Sequence, residues 1–150
     1  MLRIFITIII YALGYIGLAQ TSQNSNIDTV EKISYQVEVK INDINTNDGK
    51  VYFALYDSES NFNARKPLMT TNAEIREGKV KITFKDLEPK FYAITCFHDA
   101  NSNGKLDFEI GGIPIEDYGI TNNIMKFGPP QFADAKFDLS NKDLTFEIKF

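Results

Sequence analysis

The stretch His98-Asp99-Ala100-Asn101-Ser102-Asn103-Gly104-Lys105-Leu106-Asp107 carries the clearest chemical potential in this sequence. Asp or Asn stands at 99, 101 and 103, glycine follows at 104, and Asp107 closes the series. Calcium takes about six to eight oxygen ligands, and side chains at alternate positions of a tight loop can aim several oxygens at one point. Gly104 supplies the positive φ that such a wrap needs. The expected ligands are Asp99, Asn101, Asn103, the backbone carbonyl of Lys105, Asp107 and Glu109. In the helical calcium-loop template these match the first, third, fifth, seventh and ninth positions, but the twelfth, a bidentate Glu, is Ile110, and Glu109 falls short of it. Two of the ligands are neutral amides, so the expected affinity is weak, about 10⁻⁴ to 10⁻³ M, and calcium fits better than magnesium with its stricter octahedron. A metal-free alternative stands beside this: Asn103-Gly104 is a strong hairpin-turn signal, and Asp and Asn side chains bond their own backbone in turns.

Other residues invite a catalytic reading. His98 is the single histidine. With Asp99 and Glu116 it makes the alternative of an uncharacterised exported enzyme, its site gathered at one end of the fold. No nucleophile stands within sequence reach of His98, and a histidine at a strand end commonly serves as a hydrogen-bonder. Glu116, Tyr118 and the pair Asn122-Asn123 lie in a loop rich in Gly and Pro. They form either a ligand pocket or internal partners for backbone amides. The leaning is therefore towards a protein without catalytic residues. Cys96, the lone cysteine, lies in the run Phe91-Tyr92-Ala93-Ile94-Thr95-Cys96-Phe97 and reads as a buried small apolar side chain. One thiol makes no internal disulfide, so the fold must rest on its core.

The elements that position these residues are strands. Val37, Val39 and Ile41 alternate with Glu38 and Lys40; Val80, Ile82 and Phe84 with Lys81 and Thr83; Leu144, Phe146 and Ile148 with Thr145 and Glu147. Period two marks strands with one wet face. Lys50–Tyr56 follows the turn signal Asn45-Thr46-Asn47-Asp48-Gly49, so the first two strands are expected to pair as a hairpin. Residues 57–71 read as a loop crossing between sheets with room for one helical turn, and 72–76 as a short edge strand. Phe91–Phe97 is apolar on both faces and is expected to be the central, best-buried strand. Residues 108–131 form a long Gly/Pro-rich loop, and 133–139 another strand. The sum is an all-β domain, a single antiparallel β-sandwich of about seven strands, immunoglobulin-like or transthyretin-like.

The chain opens with Arg3, an apolar run to Leu18 and small residues at Gly17 and Ala19, the order of a cleaved secretory signal peptide over 1–19. A polar leader (20–32) and the sandwich domain (33–150) follow. Position 20 is Gln, so the lipid-anchored form of export is not supported. The formal net charge is −4, which disfavours nucleic acid as a partner. No stable membrane insertion is expected after cleavage. The expected location is periplasmic or secreted, with a protein or small-molecule ligand at the cell envelope as the open possibility.

Three segments together resemble a known family: the 99–107 loop, Gly112-Ile113-Pro114-Ile115-Glu116-Asp117-Tyr118-Gly119-Ile120-Thr121-Asn122-Asn123, and Phe127-Gly128-Pro129-Pro130-Gln131-Phe132-Ala133-Asp134-Ala135-Lys136-Phe137. They are similar to the exported bacterial family called domain of unknown function 2141, over roughly Val37 to Phe150. The resemblance implies a secreted or periplasmic β-sandwich and no particular activity. The resulting expectation is a binding or structural module of the cell envelope, ordered by calcium in the 99–107 loop.

Overall fold

Alternation of apolar and polar residues builds both sheets. The computed structural model describes residues 32–150; the expected signal peptide and nearly all of the polar leader lie outside them. The strands are β1 (Tyr35–Ile41), β2 (Lys50–Tyr56), β3 (Met69–Glu74), β4 (Val80–Leu87), β5 (Lys90–Asp99), β6 (Tyr118–Ile120), β7 (Phe137–Leu139) and β8 (Leu144–Ile148). Two short helices, α1 (Glu59–Asn63) and α2 (Phe132–Ala135), and a 3₁₀ turn at Thr121–Asn123 complete the elements. One sheet runs β4-β1-β8; the other runs β3-β2-β5-β6, with β7 also on β5. The protein is all-β, as expected, and all pairings are antiparallel except β1 with β8, which is parallel.

Val37, Val39 and Ile41 from β1, Val80, Ile82 and Phe84 from β4, and Val51, Phe53 and Leu55 from β2 meet Tyr92, Ile94 and Cys96 from β5 in one core. Burying each of the larger side chains stabilises the fold by about 1.5–3 kcal/mol. The β4 alternation carries one extra residue. Asp86 adopts φ 57°, the pairing with β1 shifts between Tyr35 and Val37, and this bulge returns Leu87 to the core at 2 % exposure.

Several sequence expectations give way here. β1 and β2 do not form a hairpin: β1 lies between β4 and β8, while β2 lies in the other sheet. The connection instead tucks Ile44 inward, its N–H donating to the Gly78 carbonyl at 2.9 Å. Turn chemistry bent the chain as read, but burial of Ile44 sent it across the sandwich. Conversely, the loop expected over 57–71 ends at 68, where β3 begins; it joins β2 to β3, neighbours in the same sheet, and carries α1 as its helical turn. Its N-cap is Ser58, which accepts from the Asn61 N–H. The expected strand over 133–139 is half helix, α2, and half strand, β7. The expected loop 108–131 contains β6 and the 3₁₀ turn.

β5 is central, with β2 on one side and β6 and β7 on the other. The expected burial of both faces over Phe91–Phe97 holds only in part: α1 and α2 cover the outside of that sheet around Ala93, while Phe91 is 51 % exposed and Phe97 is half-buried. Phe62 of α1 packs on Tyr56 at 5.0 Å and on Phe132 of α2 at 5.9 Å between ring centroids. Ala93 and Ile120 lie buried beneath them.

Candidate metal centre

β5 delivers its last two residues, His98 and Asp99, buried, to the rim of the sheet, and the 99–107 loop springs from there. The loop closes on Asp99, which is 1 % exposed. Its Oδ1 accepts the Asn103 N–H at 3.0 Å and its Oδ2 the Gly104 N–H at 2.8 Å. Ser102 at φ 60° and Gly104 at φ 76° turn the chain to make this possible. Asn101 Oδ1 accepts from the Asn103 N–H and Asn103 Oδ1 from the Lys105 N–H, at 3.1 and 2.8 Å. These are Asx turns laid one after another. The amide Nδ2 groups of Asn101 and Asn103 both donate to Asp107 Oδ2, each at 2.7 Å.

Glu116 sits behind this loop. Its Oε1 accepts from the Ala100 N–H at 3.1 Å and its Oε2 from the Asp107 N–H at 3.2 Å. The sequence placed Glu116 either in a ligand pocket or on backbone amides; it bridges the two ends of the Asp/Asn loop. Glu109 lies elsewhere: its N–H donates to Ile113 and its carbonyl accepts from Gly112 in an exposed turn of its own. The structure thus gathers Asp99, Asn101, Asn103 and Asp107 in one network, adds Glu116 to it, and puts the Glu109 backbone into a neighbouring turn. Among the described residues, no three His, Cys, Asp or Glu side chains form a metal-ready cluster. The loop's oxygens come from carboxylates, amides and backbone.

The catalytic alternative required His98 and Glu116 to converge in an open pocket. His98 is 4 % exposed. Its Nε2 lies 2.8 Å from the Asp48 carbonyl, which can only accept, so this nitrogen carries the proton. The ring stacks on Phe150 at 6.5 Å. The Glu116 carboxylate is taken up by the loop amides. His98 therefore acts as a clasp between β5 and the 45–49 turn.

The segment after β6 does more than its sequence indicated. Thr121 Oγ1 donates to the Ala135 carbonyl at 2.5 Å and accepts from the Ile94 N–H at 3.1 Å. Asn122, at φ 68°, donates to the carbonyls of Asp134 and Lys136, both at 3.0 Å. Asn123 donates to the Glu147 carbonyl and accepts from the Lys149 N–H, both at 2.9 Å. Asn123 thus imitates a peptide group along the free edge of β8. The sequence singled out Asn122-Asn123 without these distant partners, and it did not single out Thr121.

The model of a family described as an uncharacterized protein conserved in bacteria (DUF2141) matches residues 39–147. The chain belongs to that family. The match to DUF2141 begins within β1 and ends within β8, so it spans the loop, Glu116 and the Thr121–Asn123 triplet. No curated protein and no solved structure matches the chain. Among the described residues, no helix is long and apolar enough to cross a membrane.

Proposed function

We propose that this DUF2141 chain is an exported β-sandwich module of the cell envelope whose 99–107 loop takes a calcium ion. The observation that supports this best is the closure of one short loop around Asp99, Asn101, Asn103 and Asp107, with Glu116 bridging its ends. Glu116 is the carboxylate best placed to stand in for the Glu that Ile110 replaces. Asp107 now draws two neutral amide N–H groups; a half-turn of each amide would present oxygens in their place, the donors a hard cation prefers, in exchange for the bonds these oxygens now accept from the Asn103 and Lys105 N–H groups. The signal-like amino terminus supports export. The carbonyl of Lys105 would add a further oxygen to the shell, with the ion neutralising Asp99 and Asp107.

An ion that binds only the folded form stabilises it by RT ln(1 + [L]/Kd). At millimolar calcium and a weak site this is about 1 kcal/mol, a rise of a few degrees in Tm. Asp107→Asn should remove most of the rise while leaving the metal-free Tm nearly unchanged, because Asn still accepts through its oxygen. A wild-type Tm unmoved by calcium at about 10 mM, far above the expected Kd, would leave the loop as a metal-free hairpin tip.

A further inference from the structure

The sheets part beside the tight turn that links β3 to β4. That turn is closed by reciprocal backbone hydrogen bonds between Arg76 and Lys79. Beyond it, β3 ends one sheet and β4 ends the other. A concavity of about 610 Å³ opens there, with Ala73 and Glu74 on the β3 side and Lys79 and Lys81 on the β4 side. Lys40, paired in register with Lys81, and Arg76 bring the lining cations to four against the single acid Glu74. This lies on a chain of net charge −4. Glu38 holds Lys40 at 2.7 Å and Lys81 at 3.2 Å. Among the described residues, Arg76 and Lys79 have no ion-pair partner.

The outer edge of β4 therefore offers two things together. Among the described residues no strand is hydrogen-bonded along it, so its outward backbone groups are available for pairing. Its solvent-facing row reads Lys81, Thr83, Lys85, all exposed; Lys79 lies just before the strand, with its N–H and carbonyl both taken by Arg76. Residues two apart on a strand share a face, and an added strand would set its own side chains about 4.5–5.5 Å opposite them. A second copy of β4 would set lysine against lysine, which is unfavourable. A strand with carboxylates at alternate positions would set opposite charges in register. Edge lysines discourage self-association; the same lysines select for an acidic partner.

We propose that the β4 edge is a docking site for an acidic peptide segment in extended conformation, added as a further strand with alternate carboxylates facing Lys81 and Lys85. Backbone hydrogen bonds supply the affinity and the cations supply the selection, the division of labour seen in strand-addition complexes.

The test uses the full chain and a synthetic hexapeptide alternating Glu with Val, labelled for fluorescence anisotropy at low salt. Three controls accompany it: a Lys/Val counterpart, a Glu/Val peptide N-methylated at every residue, and a sulfated polysaccharide. The expected result is binding of the Glu/Val peptide and none of the Lys/Val peptide. N-methylation, which keeps the charges and removes the donors, should weaken binding by more than about tenfold. The charge reversal Lys81→Glu with Lys85→Glu should do the same, as should salt near 1 M, where screening acts within about 3 Å. Absence of binding at low salt overturns the proposal. So does equal binding of the N-methylated peptide, which would make the cleft a charge sink without strand addition, or displacement of the peptide by the polysaccharide at lower concentration than by unlabelled peptide. If the double variant loses its fold, the N-methylated peptide and the salt titration on the unaltered chain still decide.

Discussion

Gly49 adopts φ 69°, and a Cβ built there would overlap the Asp99 carbonyl oxygen and press on the Ala100 backbone. The residue is thus tied to the rim that carries the Asp/Asn loop, although fifty positions separate it from Asp99. Gly49→Ala adds left-handed strain, about 1–2 kcal/mol, to a clash with backbone that has no flexible side chain to yield. Urea denaturation should show a loss of more than about 2 kcal/mol, with the calcium response, if present, falling alongside. A loss under about 0.5 kcal/mol would mean that the 45–49 turn moves freely away from β5. Here the turn signal at Gly49 was legible, since Asn and Asp precede a glycine. Its contact with Asp99 was not, because nothing local records which distant backbone a glycine will admit.

At the scale of elements, the Thr121–Asn123 turn replaces strand pairing with side chains. Asn123 serves Glu147 on β8 and Lys149 just beyond its end in the first sheet, while Thr121 serves Ile94 on β5 in the second. Asn123→Ala removes both of its bonds and leaves a strand edge to water. The expected loss is about 1–2 kcal/mol, with hydrogen exchange rising first at the Lys149 amide. Unchanged protection of that amide would show that β8 is held by its parallel pairing with β1 alone. Strand existence was readable from period-two alternation in β1, β4 and β8. Strand neighbours were not, because alternation says that one face is buried and is silent on the partner. The hairpin expected of β1 and β2 failed for that reason. The segment 133–139 misled for another: Phe132, Ala135 and Phe137 are all buried, and a short apolar run does not distinguish a helical turn against a sheet from a strand within it.

For the whole molecule, the sandwich core holds two titratable side chains, Tyr92 and Cys96, and of these the thiol ionises at the lower pH when unfolded. Cys96 is buried, and burial pushes its thiol well above the ordinary thiol range. Its Sγ donates to the Gly119 carbonyl at 3.5 Å. The unfolded thiol ionises near pH 8.5, so over that range the unfolded state loses a proton that the folded state keeps. Stability from this group is complete below about pH 8.5 and declines as pH rises beyond it, by up to about 1.4 kcal/mol per pH unit. Comparing wild type with Cys96→Ala from pH 7 to pH 10 isolates the effect: the alkaline slope should be shallower in the variant. Native thiol labelling supplies a second reading, in which Cys96 should react only as fast as the fold opens. Prompt labelling at neutral pH would contradict its burial.

Local chemistry determined strands β1, β2, β4, β5 and β8, the burial of Cys96 and the composition of the 99–107 loop, because each follows from residue type and spacing within a few positions. It also carried enough of the DUF2141 pattern for the family to be recognised. Tertiary structure alone decided which strands are neighbours, that β1 and β8 run parallel, and that α1 and α2 cover the outer face of β5 around Ala93 while leaving Phe91 half exposed. It also turned Glu116 back onto the loop and His98 onto the Asp48 carbonyl. All of these are long-range matters. The Glu116 carboxylate reaches the Asp107 amide only once the chain has doubled back through the Phe108–Pro114 bridge and the Ile115 N–H bond to the Asp107 carbonyl, and backbone groups left unpaired at a strand edge draw whatever side chain the fold brings near.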